Sequence, residues 1–223
     1  MQFDQSDPNY LEGMKCYLSS DWKNAEIEFR KLKEKYPEST FILLILGDIY
    51  YSLGRLDESL DVYKKSLEIN PEYYIIYYKM GVSAYRAGKH EEALNYFKKV
   101  TKYDKNSAAM ASYFIGLINF FLGNDKEAIA NLEILKKESK ESKISNYYLA
   151  QLKLRNNEVK EAIALLEELL EISPNFAEIY YLLGDAYFKN HDIIKSIQFI
   201  KKALELNPKD KRVKDMLEML TSS

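Results

Sequence analysis

Apolar side chains recur three and four residues apart along most of this chain, and that spacing places them on one face of an α-helix. One segment shows the pattern in two successive stretches, Leu43, Leu46, Gly47 and Tyr50 and then Leu60, Tyr63, Ser66 and Leu67. The pattern predicts pairs of amphipathic helices of about a dozen residues each, which are too short to be stable alone. We therefore expect the helices to stack and bury a continuous apolar core.

Small residues repeat along this pattern in registers that step by 34 or 35 residues. The first register holds Gly13, Gly47, Gly81, Gly116, Ala150 and Gly184. The second holds Ser20, Gly54, Gly88, Gly123, Asn157 and His191. The third holds Ala25, Ser59, Ala93, Ala128, Ala162 and Ser196. Four prolines follow the same period, Pro37, Pro71, Pro174 and Pro208.

Each register has a physical reason. A glycine inside a helix costs about 1 kcal/mol relative to alanine, so the first register indicates that a neighbouring helix comes very close. The third register then supplies the matching small face on the next helix. The second register predicts a left-handed residue that ends the first helix of each pair. The prolines end the second helix, because a residue before proline leaves the helical region.

Composition narrows the class of protein further. Charged residues make up 30% of the 223 and hydrophobic residues 47%, which favours a folded core over disorder. The formal net charge of -2 gives no electrostatic reason to expect nucleic acid or an anionic membrane surface as a partner. The single cysteine, Cys16, fits a reducing compartment, and no signal peptide or membrane-spanning run is seen. We expect a cytoplasmic protein, with a trimmed leader left open.

These residues resemble the tetratricopeptide repeat (TPR) family. Its eight signature places are taken in one repeat by Leu43, Leu46, Gly47, Tyr50, Ser59, Tyr63, Ser66 and Pro71. The resemblance implies an all-α fold, a right-handed α-solenoid of six helix-turn-helix repeats with a C-terminal capping helix. The expected array spans 6–208, with repeats at about 6–39, 40–73, 74–107, 108–142, 143–176 and 177–208. Residues 209–223 are expected to form the capping helix and a short tail.

The resemblance also implies where a partner binds. In the family, the first helices of successive repeats line a concave groove, and many of the 19 tyrosines fall on groove-facing places. The predicted partner-binding residues are Tyr10, Tyr17, Tyr51, Tyr78, Tyr85, Tyr113, Phe120, Tyr147, Tyr181, Phe188, Lys79, Arg86 and Arg155. Aromatic anchors of this kind dominate many interface energies. The alternative is that these rings only pack between adjacent first helices.

The candidate chemistry is sparse. The family's carboxylate clamp needs lysine and asparagine at places that here hold Tyr10, Met14, Leu44, Asp48, Tyr78 and Val82. His90 and His191 are far apart, so neither a metal nor a cofactor is predicted, and Cys16 is expected to be a buried thiol. We expect a non-catalytic adaptor or scaffold that binds a protein or peptide. A secretion-type chaperone for apolar client segments and a self-associating scaffold remain the alternatives; an enzyme is the least favoured class.

Overall fold

The computed structural model describes residues 4–138 and 143–222, and this part of the chain is helical without a strand. It contains thirteen α-helices in these described residues. They are α1 Pro8–Leu18, α2 Trp22–Lys35, α3 Thr40–Ser52, α4 Leu56–Ile69, α5 Ile75–Arg86, α6 His90–Tyr103, α7 Ala108–Leu122, α8 Asp125–Glu138, α9 Ile144–Arg155, α10 Val159–Ile172, α11 Ala177–Lys189, α12 Ile193–Leu206 and α13 Lys211–Thr221. The all-α prediction is confirmed.

The chain divides into two compact units, Met1–Phe114 and Ile115–Ser223, which we call the N-terminal and C-terminal units. The division falls within α7. In the N-terminal unit each helix from α1 to α6 packs against the next, and the same holds from α8 to α13 in the C-terminal unit. The count of six repeats and their boundaries stay predictions, and the boundary at 142 lies outside the described residues. None of the helices in the described part is both long and apolar enough to cross a membrane.

The turns between paired helices have the predicted left-handed residue. Gly54, Gly88 and Gly123 have φ between 73° and 78°. Ser20, Asn157 and His191, the non-glycine members of that register, have φ of 60–62°. Glycine adopts this conformation without the steric penalty that a side chain brings. Helices α2, α4, α10 and α12 each end just before a proline of the predicted series.

The first glycine register marks close helix contacts, as predicted. A Cβ added at Gly81 would lie 2.6 Å from the Phe97 ring, and one at Gly116 would lie 2.7 Å from Leu132 Cγ. At Gly47 the added atom would overlap the Tyr63 ring.

We expected the small residues of the third register to face the glycines of the first register, and this expectation needs a correction. The nearest atoms belong to large side chains sixteen residues on, and not to the small residues twelve residues on. Where the small residue is serine, its hydroxyl donates to the glycine carbonyl, as Ser59 does to Gly47 O at 2.9 Å and Ser196 to Gly184 O at 2.8 Å. The serines of the small register therefore bond to the backbone of the facing helix, while the glycine makes room for a large side chain.

Each unit has its own core around these contacts. In the N-terminal unit Phe29, Tyr63 and Phe97 are fully buried. In the C-terminal unit the final helix α13 covers Ile200 and Ala203 with Val213 and Leu220, and its other face is exposed. Such a polar outer face is what the end of a repeat array needs in water.

Candidate functional site

Two of the predicted tyrosines line one pocket in the N-terminal unit. Tyr51 near the end of α3 and Tyr78 in α5 lie on its walls, and the pocket has a volume of about 290 Å³. Its full lining is Asp48, Tyr51, Ile75, Tyr78, Lys79, Val82 and Ser83. The two rings and the aliphatic side chains make most of the surface apolar, while Asp48 and Lys79 form a polar end. Both rings are half-buried, so they retain surface for a ligand.

Asp48 is the centre of the polar end. Its Oδ1 accepts from Tyr63 Oη at 2.5 Å and from Lys79 Nζ at 2.7 Å. Its Oδ2 accepts from Lys79 Nζ at 2.9 Å and from Tyr17 Oη at 3.3 Å. Four helices thus contribute to one hydrogen-bonded group, which fixes the carboxylate and the ammonium in place.

Burial keeps the hydroxyls of this region protonated. Desolvation raises the pKa of Tyr63 well above its usual range, and the neighbouring charge of Asp48 adds to the effect. Desolvation also raises the pKa of Tyr17 and of Tyr78. These phenols are therefore hydrogen-bond donors throughout the ordinary pH range.

Three other predicted aromatic residues of the N-terminal unit do not belong to the lining of this pocket. Tyr10 packs against the core of the first helices, with its ring 6.4 Å from that of Phe29. Tyr85 lies 5.5 Å, centroid to centroid, from Phe114. Tyr113 is buried, with 7% of its surface exposed, so it offers little area to a partner.

Arg86 is tied to the pocket wall. Its guanidinium lies 4.9 Å from the centre of the Tyr51 ring, and its Nη1 donates to the Tyr51 carbonyl at 2.9 Å. The residue itself is exposed. It therefore holds the Tyr51 segment and still presents charge to solvent beside the pocket.

The C-terminal unit carries a second, more open pocket of about 360 Å³. It is lined by Phe120, Gln151, Leu154, Arg155, Leu182, Asp185 and Lys189. The Arg155 guanidinium lies 4.6 Å from the centre of the Phe120 ring. Of the other predicted residues, Tyr147 and Tyr181 are half-buried, and Phe188 is 37% exposed.

Aromatic rings in this unit form a chain of contacts that the tyrosine register did not predict. Tyr148 lies 5.1 Å from Phe120 and 5.2 Å from Tyr147, centroid to centroid. Phe121 lies 5.2 Å from Phe120 and is 66% exposed. Tyr148 and Phe121 directly follow predicted residues, so inspection of the adjacent positions would have found them.

Two of the predicted cationic residues, Lys79 and Arg155, are paired with acidic residues of this chain. Lys79 is paired with Asp48, so most of its bonding capacity is already used within the chain. Arg155 Nη1 lies 3.2 Å from Asp125 Oδ1, an ion pair that lacks the alignment of a hydrogen bond. These side chains already neutralise neighbouring carboxylates, so only their unused N–H donors are available to a binding partner.

Groups suited to covalent or metal chemistry are not assembled in the described residues. No cluster of three histidine, cysteine or acidic side chains there is placed to hold a metal ion. Cys16 is buried, as expected, and desolvation raises the pKa of its thiol. A thiol in such surroundings is a poor nucleophile.

Three profiles of one repeat family match the sequence. One described as TPR repeat matches residues 47–88, and two described as Tetratricopeptide repeat match residues 78–142 and 153–220. The chain belongs to the tetratricopeptide repeat family. Members of this family are in general non-enzymatic scaffolds for protein–protein interaction, and their repeats stack to create extended binding surfaces. A comparison with curated proteins by sequence gave no match.

Solved structures of TPR proteins share this fold. MamA is 27% identical over 79% of this chain and 96% of its own, with a TM-score of 0.69. YrrB, described as a TPR protein with an unusual peptide-binding site, is 19% identical over 84% of this chain and 96% of its own, with a TM-score of 0.75. PilW, a type IV pilus biogenesis factor, is 15% identical over 95% of this chain and 99% of its own, with a TM-score of 0.73. At these identities the YrrB and PilW matches establish similarity of fold alone.

Proposed function

We propose that this TPR protein is a non-catalytic adaptor or scaffold that binds a peptide segment of a partner protein on the aromatic face of its first helices. The observation that carries the proposal is the pocket lined by Tyr51 and Tyr78, two residues of the predicted series that share one half-buried, mostly apolar cavity. Rigid rings that keep some exposed surface lose little entropy on binding and gain apolar contact.

Further features support the same site. The polar end of the pocket is held by Asp48, Lys79 and Tyr63, so the cavity is preorganised before a ligand arrives. Preorganisation lowers the cost of binding. The solved structure of YrrB, a TPR protein with an unusual peptide-binding site, has a similar fold and is consistent with a peptide ligand.

The corresponding face of the C-terminal unit is proposed as a binding surface in its own right. Phe120 and Arg155 line its open pocket, and Tyr147 and Phe188 of the same unit keep exposed area. Its pocket is more open and Phe121 beside Phe120 is 66% exposed, so we expect it to add apolar contact with less selectivity.

The test is a selection from a display library of random peptides of about a dozen residues, a length sufficient for an extended or helical segment. The affinity of an enriched peptide is then measured for the wild type and for the Tyr51→Ala/Tyr78→Ala double variant. Truncation of one anchor residue that contributes about 2 kcal/mol reduces affinity by about 30-fold, and truncation of both reduces it further. The matched control is Tyr77→Ala, a half-buried tyrosine of the same helix α5 that lines a different pocket, with Tyr96 and Lys99.

The outcomes separate the candidate functions. A shared sequence motif among enriched peptides, with affinity lost in the double variant and kept in the control, supports the adaptor. Enrichment of apolar peptides without a common motif favours a chaperone for apolar client segments. If the double variant binds the peptide as tightly as the Tyr77→Ala control does, the Tyr51–Tyr78 pocket is excluded as the binding site. Concentration-dependent sedimentation that the double variant abolishes favours self-association through the same face.

A further inference from the structure

The polar end of the Tyr51–Tyr78 pocket has almost no unused hydrogen-bonding capacity. An ionised carboxylate offers about four acceptor sites. Those of Asp48 are occupied by Tyr17, Tyr63 and two contacts from Lys79. Lys79 has three N–H donors and directs its ammonium at the two oxygens of Asp48, so at least one donor remains. The charges of Asp48 and Lys79 neutralise each other within the pocket.

The rest of the lining is mostly apolar, apart from the phenol hydroxyls of Tyr51 and Tyr78. Ile75 and Val82 contribute aliphatic surface, and Tyr51 and Tyr78 contribute ring surface. A volume of about 290 Å³ is at the lower end of the range for ligand sites, which suits one large side chain. Ser83 does not add a polar group for a ligand, because it is fully buried and its hydroxyl bonds to Ser59 at 3.2 Å.

From this we infer that the pocket selects a single large apolar side chain, such as leucine or phenylalanine, from a partner peptide. The remaining N–H of Lys79 is then available to a backbone carbonyl of the same peptide. A cationic or acidic side chain is disfavoured, because it would give up hydration and find both charges of the pocket already paired. The inference rests on the proposed function and names the kind of residue that the site takes.

The test uses single-residue probes in place of an unidentified partner. N-acetyl amides of leucine, phenylalanine, lysine and glutamate are titrated into the isotope-labelled full chain, and the backbone amide signals of Ile75 and Val82 are followed by NMR. One side chain supports only millimolar affinity, which this method measures. We expect the leucine and phenylalanine probes to bind about 5-fold more tightly than the charged probes, because the charged side chains give up hydration without gaining a partner.

Two variants are expected to remove the apolar preference, each for a probe of opposite charge. Lys79→Met leaves the carboxylate of Asp48 unneutralised, so the lysine probe gains about 5-fold relative to leucine. Asp48→Asn frees the ammonium of Lys79, so the glutamate probe gains by a similar factor, while the asparagine oxygen can still accept from Tyr63. Lys99→Met is the control, since it makes the same charge change in the pocket lined by Tyr77.

The result that overturns the inference is a wild type that binds charged and apolar probes equally, or variants that keep the wild-type order. Failure of every probe to shift the Ile75 and Val82 signals overturns it as well. Because the two variants are read independently, loss of folding in one leaves the other decisive. The probes report the chemistry of the pocket alone, so they separate its failure from a failure of peptide selection, which would contradict the proposed function.

Discussion

The two units use the same repeat pattern to build different surfaces. In the N-terminal unit the charges of the pocket are locked, with Asp48 only 17% exposed and bonded to a buried tyrosine. In the C-terminal unit the ion pair that lines the pocket is more open, with Lys189 and Asp185 40% and 28% exposed. That unit also exposes Phe121 and Phe188.

The difference shows that the repeat does not determine how the surface side chains are arranged. The period determines which positions face a neighbouring helix, but the side chains at those positions decide whether a pocket is preorganised. Exposed ion pairs are weakly stabilising and rearrange easily, whereas a buried hydrogen-bonded group holds one geometry. We therefore expect the N-terminal unit to provide selectivity and the C-terminal unit to provide adaptable apolar contact.

The largest expected difference between the two units is in the free energy of unfolding lost when a helix glycine is replaced by alanine. In Gly47→Ala the new methyl group overlaps the ring of Tyr63, which is buried and held by Asp48, so we expect a loss of about 2–3 kcal/mol after the gain in helix propensity. In Gly184→Ala the methyl group meets Cγ1 and Cδ1 of the buried Ile200, which no hydrogen bond holds in place, so we expect a smaller loss of about 1–2 kcal/mol.

Urea unfolding followed by circular dichroism measures both losses. The control is Gly54→Ala, where nothing lies within 4 Å of the added atom but φ is +77°. It is expected to cost about 1 kcal/mol through backbone strain alone. Equal losses at Gly47 and Gly184 would contradict the idea that the N-terminal unit is the more rigidly packed.

A smaller effect is expected from removing one hydroxyl in each unit. Tyr63→Phe takes a buried donor away from Asp48 and leaves that carboxylate with one partner fewer, at a cost of about 1–2 kcal/mol. Tyr187→Phe removes a 3.1 Å bond to Glu167, whose carboxylate can turn to water, at a cost of about 0.5 kcal/mol. Thermal unfolding of the two variants ranks them, and the reverse order would refute the proposed rigidity of the Asp48 group.

The smallest effect is expected at the terminal helices, and it depends on pH. Asp7 caps α1 and Asp210 caps α13. A hydrogen bond from Lys35 lowers the pKa of Asp7, and one from Arg212 lowers the pKa of Asp210. A lowered pKa means that the carboxylate stabilises the fold above its ordinary pKa of 3.8, and that this stability is lost as pH falls through the folded value.

Urea midpoints measured between neutral and acidic pH test whether this contribution to stability is lost as the pH falls. Asp7→Asn and Asp210→Asn should each lower the midpoint at neutral pH, and each difference from the wild type should shrink as the pH falls through the lowered pKa of the folded-state carboxyl. We expect the larger difference for Asp7, whose side chain is 1% exposed compared with 14% for Asp210. A difference that persists unchanged in acid would show that helix capping by the neutral side chain accounts for it.

The fold could be predicted closely because its signals are local. The left-handed turns at Gly54 and Asn157 follow from a backbone requirement that only a few residue types meet. The close approach at Gly47 was also predicted, but the side chain that fills it was not. Spacing identifies a position on a helix face; how far a ring sixteen residues away reaches depends on packing.

The candidate site could be predicted only in part. The period placed Tyr51 and Tyr78 in a common series, and they line one pocket. The same series included Tyr113, which is buried and offers little surface to a partner. The pairing of Lys79 with Asp48, 31 residues apart, had no sequence signal. Because of this pairing, the charge of Lys79 is neutralised within the chain, whereas we expected Lys79 to be available to a partner.

What the sequence alone determined is the period, the helix pairs and the turns between them, since these depend on spacing and on the dihedral angles that each residue tolerates. What only the tertiary structure decided is the chemistry of the surface: which rings remain exposed, and which charges are already satisfied. The reason is that hydrogen bonds such as that from Tyr63 to Asp48 form between side chains of different helices, whose meeting depends on the packed geometry of the whole unit.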